Sequence, residues 1–179
     1  MTPEQKYAAL YKEMADLCEN QGWGDPFSYA RSKEILAAIL LGHKVAPTLS
    51  GADAFNSDGQ EVEYKSTTGK NIKGSYTGIS VYNTWEEQDK YLKEEKILKY
   101  PEHYFNRFSD GILVESWVMT GAQVYKILAP KLKKKHPDVL TKKDPRLSAS
   151  VCMREIKKHG TQVYPKPTRK ANNVSNSLG

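Results

Sequence analysis

One stretch of alternation constrains this chain more than any other. From Gln60 to Ser66, Glu61, Glu63 and Lys65 fall on one face of an extended segment and Val62 and Tyr64 on the other, because strand side chains repeat every two residues. Just upstream, Asp53-Ala54-Phe55-Asn56 runs into Ser57-Asp58-Gly59, where Asp-Gly supplies the positive φ of a two-residue hairpin turn. Across the hairpin, Asp53 can lie beside Glu63. Two carboxylates and an amine then share one small volume, the makings of a hard-metal site with a lysine next to it.

The flanking segments predict what holds this hairpin. Thr2-Pro3-Glu4-Gln5 opens a helix, with Thr2 as N-cap and Gln5 as its reciprocal partner. Tyr7, Leu10, Tyr11, Met14, Leu17 and Cys18 make its apolar stripe, which either packs on the domain's own core or forms a dimer interface. After the break at Gly22–Pro26, with Asp25 and Pro26 suited to open the next helix, a second helix is expected from about Phe27 to Leu41. It stops at Gly42 and buries Ile35, Leu36, Ile39 and Leu40. Strands are predicted over His43–Pro47 and Tyr76–Tyr82. Thr84-Trp85-Glu86-Glu87 caps a very polar helix reaching about Lys99, which reads as a solvated face. His103–Phe108 and Ile112–Val118 form a second hairpin across Ser109-Asp110-Gly111. Thr120 caps a helix that Pro130 should kink or end. Residues 136–148 read as an irregular basic loop; Ala149–Ile156 and Thr161–Tyr164 read as final strands. The order predicts an α/β (α+β) chain with a mixed central sheet, one domain over residues 1–164, and a basic, polar, disordered tail over 165–179.

Charge and cysteine content narrow the function. A net charge of +6 leans towards a polyanionic partner. Cys18 and Cys152 form no CxxC or Cys/His cluster, so structural zinc is not expected and both read as reduced core thiols. His43, His103, His136 and His159 show no metal spacing and read as structural or solvent-exposed. No apolar run approaches membrane-spanning length and the N-terminus lacks a signal-like core, which predicts a soluble, cytoplasmic protein without a membrane partner.

Carboxylates at Asp53 and Glu63 suit Mg²⁺, which usually takes one or two of them and keeps several waters. The Tyr64 carbonyl offers a third ligand. Such a cation polarises a phosphoryl oxygen and acidifies a bound water, and Lys65 would orient or deprotonate that water and offset charge on the phosphate. The reaction suggested is metal-assisted phosphodiester hydrolysis, with no organic cofactor. Acid-x-Lys alone is uninformative, since about one such triplet arises by chance in a chain this size. Glu4-Gln5-Lys6, Glu94-Glu95-Lys96 and Glu155-Ile156-Lys157 also fit it. Only Glu63-Tyr64-Lys65 combines a predicted strand with an upstream Asp across a hairpin. The competing reading is an exposed cross-strand charge ladder.

The same segment resembles the PD-(D/E)XK nucleases, and among them the type II restriction endonucleases. The likeness runs through Gly42-His43-Lys44-Val45-Ala46-Pro47, Gly51-Ala52-Asp53-Ala54 and Gly59-Gln60-Glu61-Val62-Glu63-Tyr64-Lys65-Ser66, and on to Lys73-Gly74 and Thr77. Weaker matches follow at Gly111-Ile112-Leu113-Val114-Glu115 and His159-Gly160-Thr161-Gln162-Val163-Tyr164, so it touches most of residues 27–164. The resemblance implies Asp53 and Glu63 as metal ligands and Lys65 as the catalytic lysine. It further implies a mixed sheet flanked by helices, and a homodimer clamping double-stranded DNA at a short palindrome. Where the resembling enzyme reads bases with a histidine run and adjacent asparagines, this chain has Gly78-Ile79-Ser80 and Leu147-Ser148, which implies a different recognition sequence.

Further residues have two readings each. Glu34, near the start of its helix, is either an accessory acid touching a metal-bound water or a first-turn glutamate favoured by the helix dipole. Glu61 is a hairpin or surface charge. Lys70 and Lys73 are phosphate contacts or solvated loop lysines; Lys133-Lys134-Lys135 is a solvated helix end. Thr77, Asn83, Arg146 and Ser148 are candidate DNA contacts, Asn being suited to adenine and Arg to guanine. A Holliday-junction resolvase or repair endonuclease uses the same acid-acid-lysine arrangement, and a DNA-binding protein with an inert triad is the alternative outside enzymes.

Overall fold

Strand β3 (Glu61–Thr67) is the axis of the molecule, antiparallel to β2 (Ala54–Phe55) on one side and parallel to β5 (Glu102–Ser109) on the other. The computed structural model describes residues 1–47 and 51–165. With β1 (Lys44–Val45), β6 (Ile112–Thr120) and β8 (Thr161–Tyr164), these strands make a six-stranded mixed sheet in the order β1-β2-β3-β5-β6-β8. The β3–β5 pair is its parallel one. A parallel pair needs a long crossover, and here that connection carries β4 (Gly74–Ile79), helix α3 (Trp85–Tyr91) and one π turn over Leu92–Lys96. β4 leaves the main sheet and pairs instead with β7 (Leu147–Val151) in a separate two-stranded sheet. The chain is thus mixed α/β, as its element order predicts.

The two faces of the main sheet bury different clusters. On one, Ile35, Ala37 and Ala38 of α2 (Arg31–Leu41) pack with Val62, Tyr64, Tyr104 and Phe108. On the other, Phe105 and Met119 meet β4, β7 and the long helix α4 (Gly121–Leu140) through Tyr76, Ile79, Leu128, Leu132 and Leu147. This is why β5 is buried at nearly every position while β3 alternates.

Capping chemistry sets several boundaries as expected. Thr2, Thr84 and Thr120 each accept from the third helical amide and receive the reciprocal bond, opening α1 (Pro3–Asn20), α3 and α4. Asp110 and Gly111 both take positive φ, giving the second hairpin its two-residue turn. The first hairpin differs: Asn56 and Gln60 are partners, so its loop has three residues, with only Gly59 in the left-handed region. Asn56 Oδ1 accepts from the amides of Asp58 and Gln60 at 3.1 and 2.9 Å, and this side-chain bracket stabilises the longer loop.

Other boundaries move for identifiable reasons. α2 starts at Arg31 rather than Phe27, because Asp25 spends its carboxylate on the Phe27 amide in a local turn and Tyr29 adopts φ 48°. Its buried face is Ile35, Ala37 and Ala38; Ile39 and Leu40 are 57% and 40% exposed. Two alanines let the helix lie close to the sheet, which turns the larger residues outward. The predicted strand at His43–Pro47 shrinks to Lys44–Val45, and β4 begins at Gly74 and ends at Ile79 instead of Tyr82. α4 continues through Pro130 and Pro137 to Leu140; its apolar side, with Val124, Leu128, Leu132 and Val139 buried, compensates for the missing backbone bonds. The irregular loop is therefore limited to residues 141–146. The expected strand at Ala149–Ile156 ends at Val151, and helix α5 (Met153–His159) follows, opened by a Glu155 side chain bonded to the Cys152 amide. Cys18 is buried as expected, whereas Cys152 is exposed at that helix start. The predicted tail lies outside the described residues beyond Pro165.

α1 resolves one alternative. Of its stripe only Cys18 is buried; Tyr7, Leu10, Tyr11, Met14 and Leu17 are exposed, and Tyr11 stacks on Phe27 at 3.8 Å. The stripe does not pack on the domain's own core. Among the described residues, no helix is long and apolar enough to cross a membrane.

Gly74 lets β4 approach β5, since a Cβ there would enter the Phe105 ring. Gly74→Ala is expected to destabilise the fold by about 1–3 kcal/mol through overpacking. A chemical-denaturation midpoint unchanged from wild type would show that the strand can shift away without cost.

Candidate active site

Three neighbouring strands build the site. The β2–β3 register pairs Ala54 with Val62, and Asp53 N continues it by donating to Val62 O at 3.1 Å. That sets Asp53 opposite Glu63. Across the parallel pairing, Glu63 and Lys65 sit in register with His103 and Phe105, so all four side chains share the face that meets β4. Tyr64, between them, points the other way and bonds His43 Nδ1 through its hydroxyl at 2.7 Å. Alternation thus divides one strand into a polar working face and a buried anchoring face.

The Lys65 ammonium pairs with Glu63 Oε1, both side chains being partly shielded at 23% and 16% exposure. Asp53 Oδ2 accepts from the Tyr64 amide at 2.6 Å. Burial, then the Glu63 carboxylate and then Glu34 push the Asp53 pKa up to about 8, against the opposing pull of the Tyr64 amide and Lys65. These are not the surroundings of an exposed charge ladder. Two partly buried carboxylates are held as neighbours, where a cation would relieve their repulsion. Among the described residues, no three His, Cys, Asp or Glu side chains converge as a ready-made metal cage. The donor set fits Mg²⁺ on chemistry: hard oxygens, two carboxylates with one drawn towards its proton form, and the Tyr64 backbone between Glu63 and Lys65 on the same strand.

Glu34 is near enough to act on Asp53, but its carboxylate is committed elsewhere. It pairs with Arg31 Nη1 at 3.2 Å. Arg31 itself is 1% exposed and donates to Trp23 O at 2.6 Å and to Ala46 O. A buried guanidinium therefore ties the α1–α2 loop and the end of β1 to the helix that carries Glu34. Glu61 shares the face of Glu63, as alternation predicts, and lies 3.6 Å from Lys99.

Asp53, Glu63 and Lys65 open into a cleft of about 630 Å³, roofed by β4 and the π turn. Thr77 lines it; Lys70 and Lys73 are exposed on the loop that precedes β4. Ser148 is exposed on β7 near the irregularity between Tyr76 and Ile79, which brings it alongside Thr77. Arg146 is exposed and 3.4 Å from Asp144, and Asn83 is exposed between β4 and α3; neither lines the cleft. Of the lysine run, Lys135 bonds Ser148 O at 2.7 Å and Lys133 lies over the Trp85 ring. His103 is buried, His136 bonds Tyr82 O, and His43 is half-buried beside Tyr64, all structural placements.

Four residues line the cleft that their local sequence does not mark as part of a site. Lys96 and Lys99 line the cleft from the segment read as solvated, and Tyr76 and Tyr100 line it as aromatic walls. The signal for the lysines was faint: Leu92 and Ile97, both fully buried, are spaced five apart, and Ile97 N bonds Leu92 O at 2.8 Å as a π turn requires. A search at periods of three and four passes over it.

No protein-family model matches this chain, and no curated protein matches it significantly.

A carboxyl that titrates near 8 must lose its proton to bind a cation. The affinity for Mg²⁺, or for Ca²⁺ as a probe, is expected to weaken by up to about tenfold for each pH unit below about 8, with proton release visible as a buffer-dependent heat in calorimetry. Affinity flat from pH 6 to 8 would show that binding displaces no proton from Asp53 in that range.

Proposed function

We propose that this protein is a Mg²⁺-dependent type II restriction endonuclease that works as a homodimer on double-stranded DNA. The observation that carries the reading is Asp53 set opposite Glu63 with Lys65 paired to Glu63, all three in one cleft. The arrangement agrees with the resemblance to the PD-(D/E)XK nucleases noted in the sequence, and the mixed sheet is compatible with a restriction-endonuclease-like fold.

Bound Mg²⁺ would polarise the scissile phosphate and lower the pKa of water. Asp53, Glu63 and the Tyr64 carbonyl are the residues to hold it. Lys65 places a cation where negative charge builds on the phosphoryl oxygens, and donates hydrogen bonds that orient the attacking water. Water oxygen bonds to phosphorus and gives up a proton to solvent, the P–O3′ bond breaks and its oxygen takes a proton from solvent water, and the products carry a 5′-phosphate and a 3′-hydroxyl. Lys96 and Lys99 on the cleft rim, with Lys70 and Lys73 near β4, supply positive charge for backbone phosphates, in keeping with the net charge of +6. Thr77 and Ser148, side by side at the β4–β7 irregularity, are the best placed of the candidate base contacts.

The dimer rests on α1. Its exposed Tyr7, Leu10, Tyr11, Met14 and Leu17 form an apolar face that a second copy would cover. Two-fold symmetry then matches a palindromic site.

Incubation with Mg²⁺ and a long plasmid, followed by mapping of the ends, tests the reading. Discrete, repeatable fragments are expected. Cutting confined to four-way junctions would reassign the protein as a junction resolvase, and tight binding with no cleavage of either substrate would leave a DNA-binding protein. Asp53→Ala is expected to lower cleavage by at least about a thousandfold while DNA affinity, measured in Ca²⁺, stays within about threefold, because binding rests on phosphate contacts. Cleavage persisting in that variant would place the site elsewhere.

A further inference from the structure

We propose that Tyr76 is a positioning residue for Lys65: the face of its ring holds the lysine ammonium in the cleft, and His103 holds the ring. The inference rests on the nuclease reading for its catalytic consequence, though the contact itself does not.

The Lys65 ammonium lies 5.0 Å from the centroid of the Tyr76 ring, within the range in which a cation is attracted to an aromatic face. Tyr76 is 7% exposed, so the attraction is little screened by water. The ring's orientation is fixed from behind. His103 Nε2 is 2.9 Å from Ile97 O, which can only accept, so this nitrogen carries the proton. Nδ1 is then an acceptor, and the Tyr76 hydroxyl 2.9 Å away donates to it. His103 is fully buried, and the two bonds, one donated and one accepted, are those of a neutral imidazole. The Tyr76 hydroxyl is thereby spent on His103 rather than on Glu63 or Asp53. What the residue offers the cleft is its π face.

This contact matters because the other partner of Lys65 is contested. Glu63 is both the lysine's ion-pair partner and the proposed metal ligand. A divalent cation on that carboxylate competes for its lone pairs and repels an adjacent ammonium. The ring makes no such choice. It holds Lys65 whatever Glu63 binds, so the lysine stays beside the reacting phosphate.

The test replaces Tyr76 with Phe and then with mono-, di- and trifluorophenylalanine, a series of nearly constant volume in which fluorine drains the ring's negative face. Tyr76→Leu removes the ring. Three readouts are compared: the single-turnover cleavage rate in Mg²⁺, the DNA Kd in Ca²⁺, and the NMR shift of the Lys65 ε-methylene protons without added metal. We expect upfield ring-current shifts in wild type and Tyr76→Phe that vanish in Tyr76→Leu. Across the fluorinated series we expect a stepwise fall in rate, about fivefold in all, with Kd unchanged. A rate flat across the series, or Lys65 protons at ordinary shifts in wild type, overturns the proposal. A wild-type protein that cleaves no DNA yet keeps the upfield shifts fails the nuclease reading and leaves the contact standing.

Discussion

The repulsion between Asp53 and Glu63 is the constraint around which the structure is arranged. Left alone, two carboxylates at adjacent sheet positions would separate or exchange a proton with water. Here neither side chain is free to move away, because Asp53 is anchored by the Tyr64 amide and Glu63 by Lys65. Burial first, and the Glu63 carboxylate second, hold the Asp53 pKa well above the ordinary carboxylate range. On the proposed reading a cation between the two groups would relieve that repulsion, and the stability such a site gives up is regained elsewhere.

That stability comes from the parallel pairing of β3 with β5. Six residue pairs in register, from Val62–Glu102 to Thr67–Arg107, fix the working face of β3 against a strand buried on both sides. Because a parallel pair cannot be closed by a tight turn, the chain must travel from Thr67 to Glu102 before it returns. The same excursion lays down β4, α3 and the π turn, which become the wall and roof of the cleft. The cleft therefore follows from the topology that secures the carboxylates.

Features set by neighbours in the chain are legible in the sequence. Three capping boxes, the Gly42 helix stop and the Asp-Gly turn at Ser109–Ile112 all act over a few residues, and each stands where the sequence puts it. The pairing of Asp53 with Glu63 depends on the longer first loop: a two-residue turn at Asp58-Gly59 would set Asp53 opposite Tyr64, on the other face, and the third loop residue, bracketed by Asn56, shifts the register by one. What was not legible depends on distant partners. The buried face of α2 is decided by how closely Ala37 and Ala38 approach the sheet, and α4 runs through Pro130 because its far side is covered. Tyr76 and His103 are far apart in sequence and meet only because β4 is laid over β5. No local pattern marks either as part of a site.

The division into two sheets has a functional logic under the proposed reading. The acidic residues and Lys65 belong to the six-stranded sheet, whose register leaves them little freedom. Thr77 and Ser148 belong to the β4–β7 pair, which carries an irregularity between Tyr76 and Ile79 and shows exposed side chains there. Substitution at exposed positions of a small, irregular sheet costs little stability, whereas a change on the working face of β3 disturbs a buried charge balance. On that reading, base contacts can diverge while the chemistry stays fixed. Tyr76 limits that freedom, since it sits on β4 beside the reading positions while its ring touches Lys65. A shift of the small sheet that moved Tyr76 would carry into the placement of Lys65 and, on the proposed reading, would couple how well a sequence fits β4 to how fast it is cut.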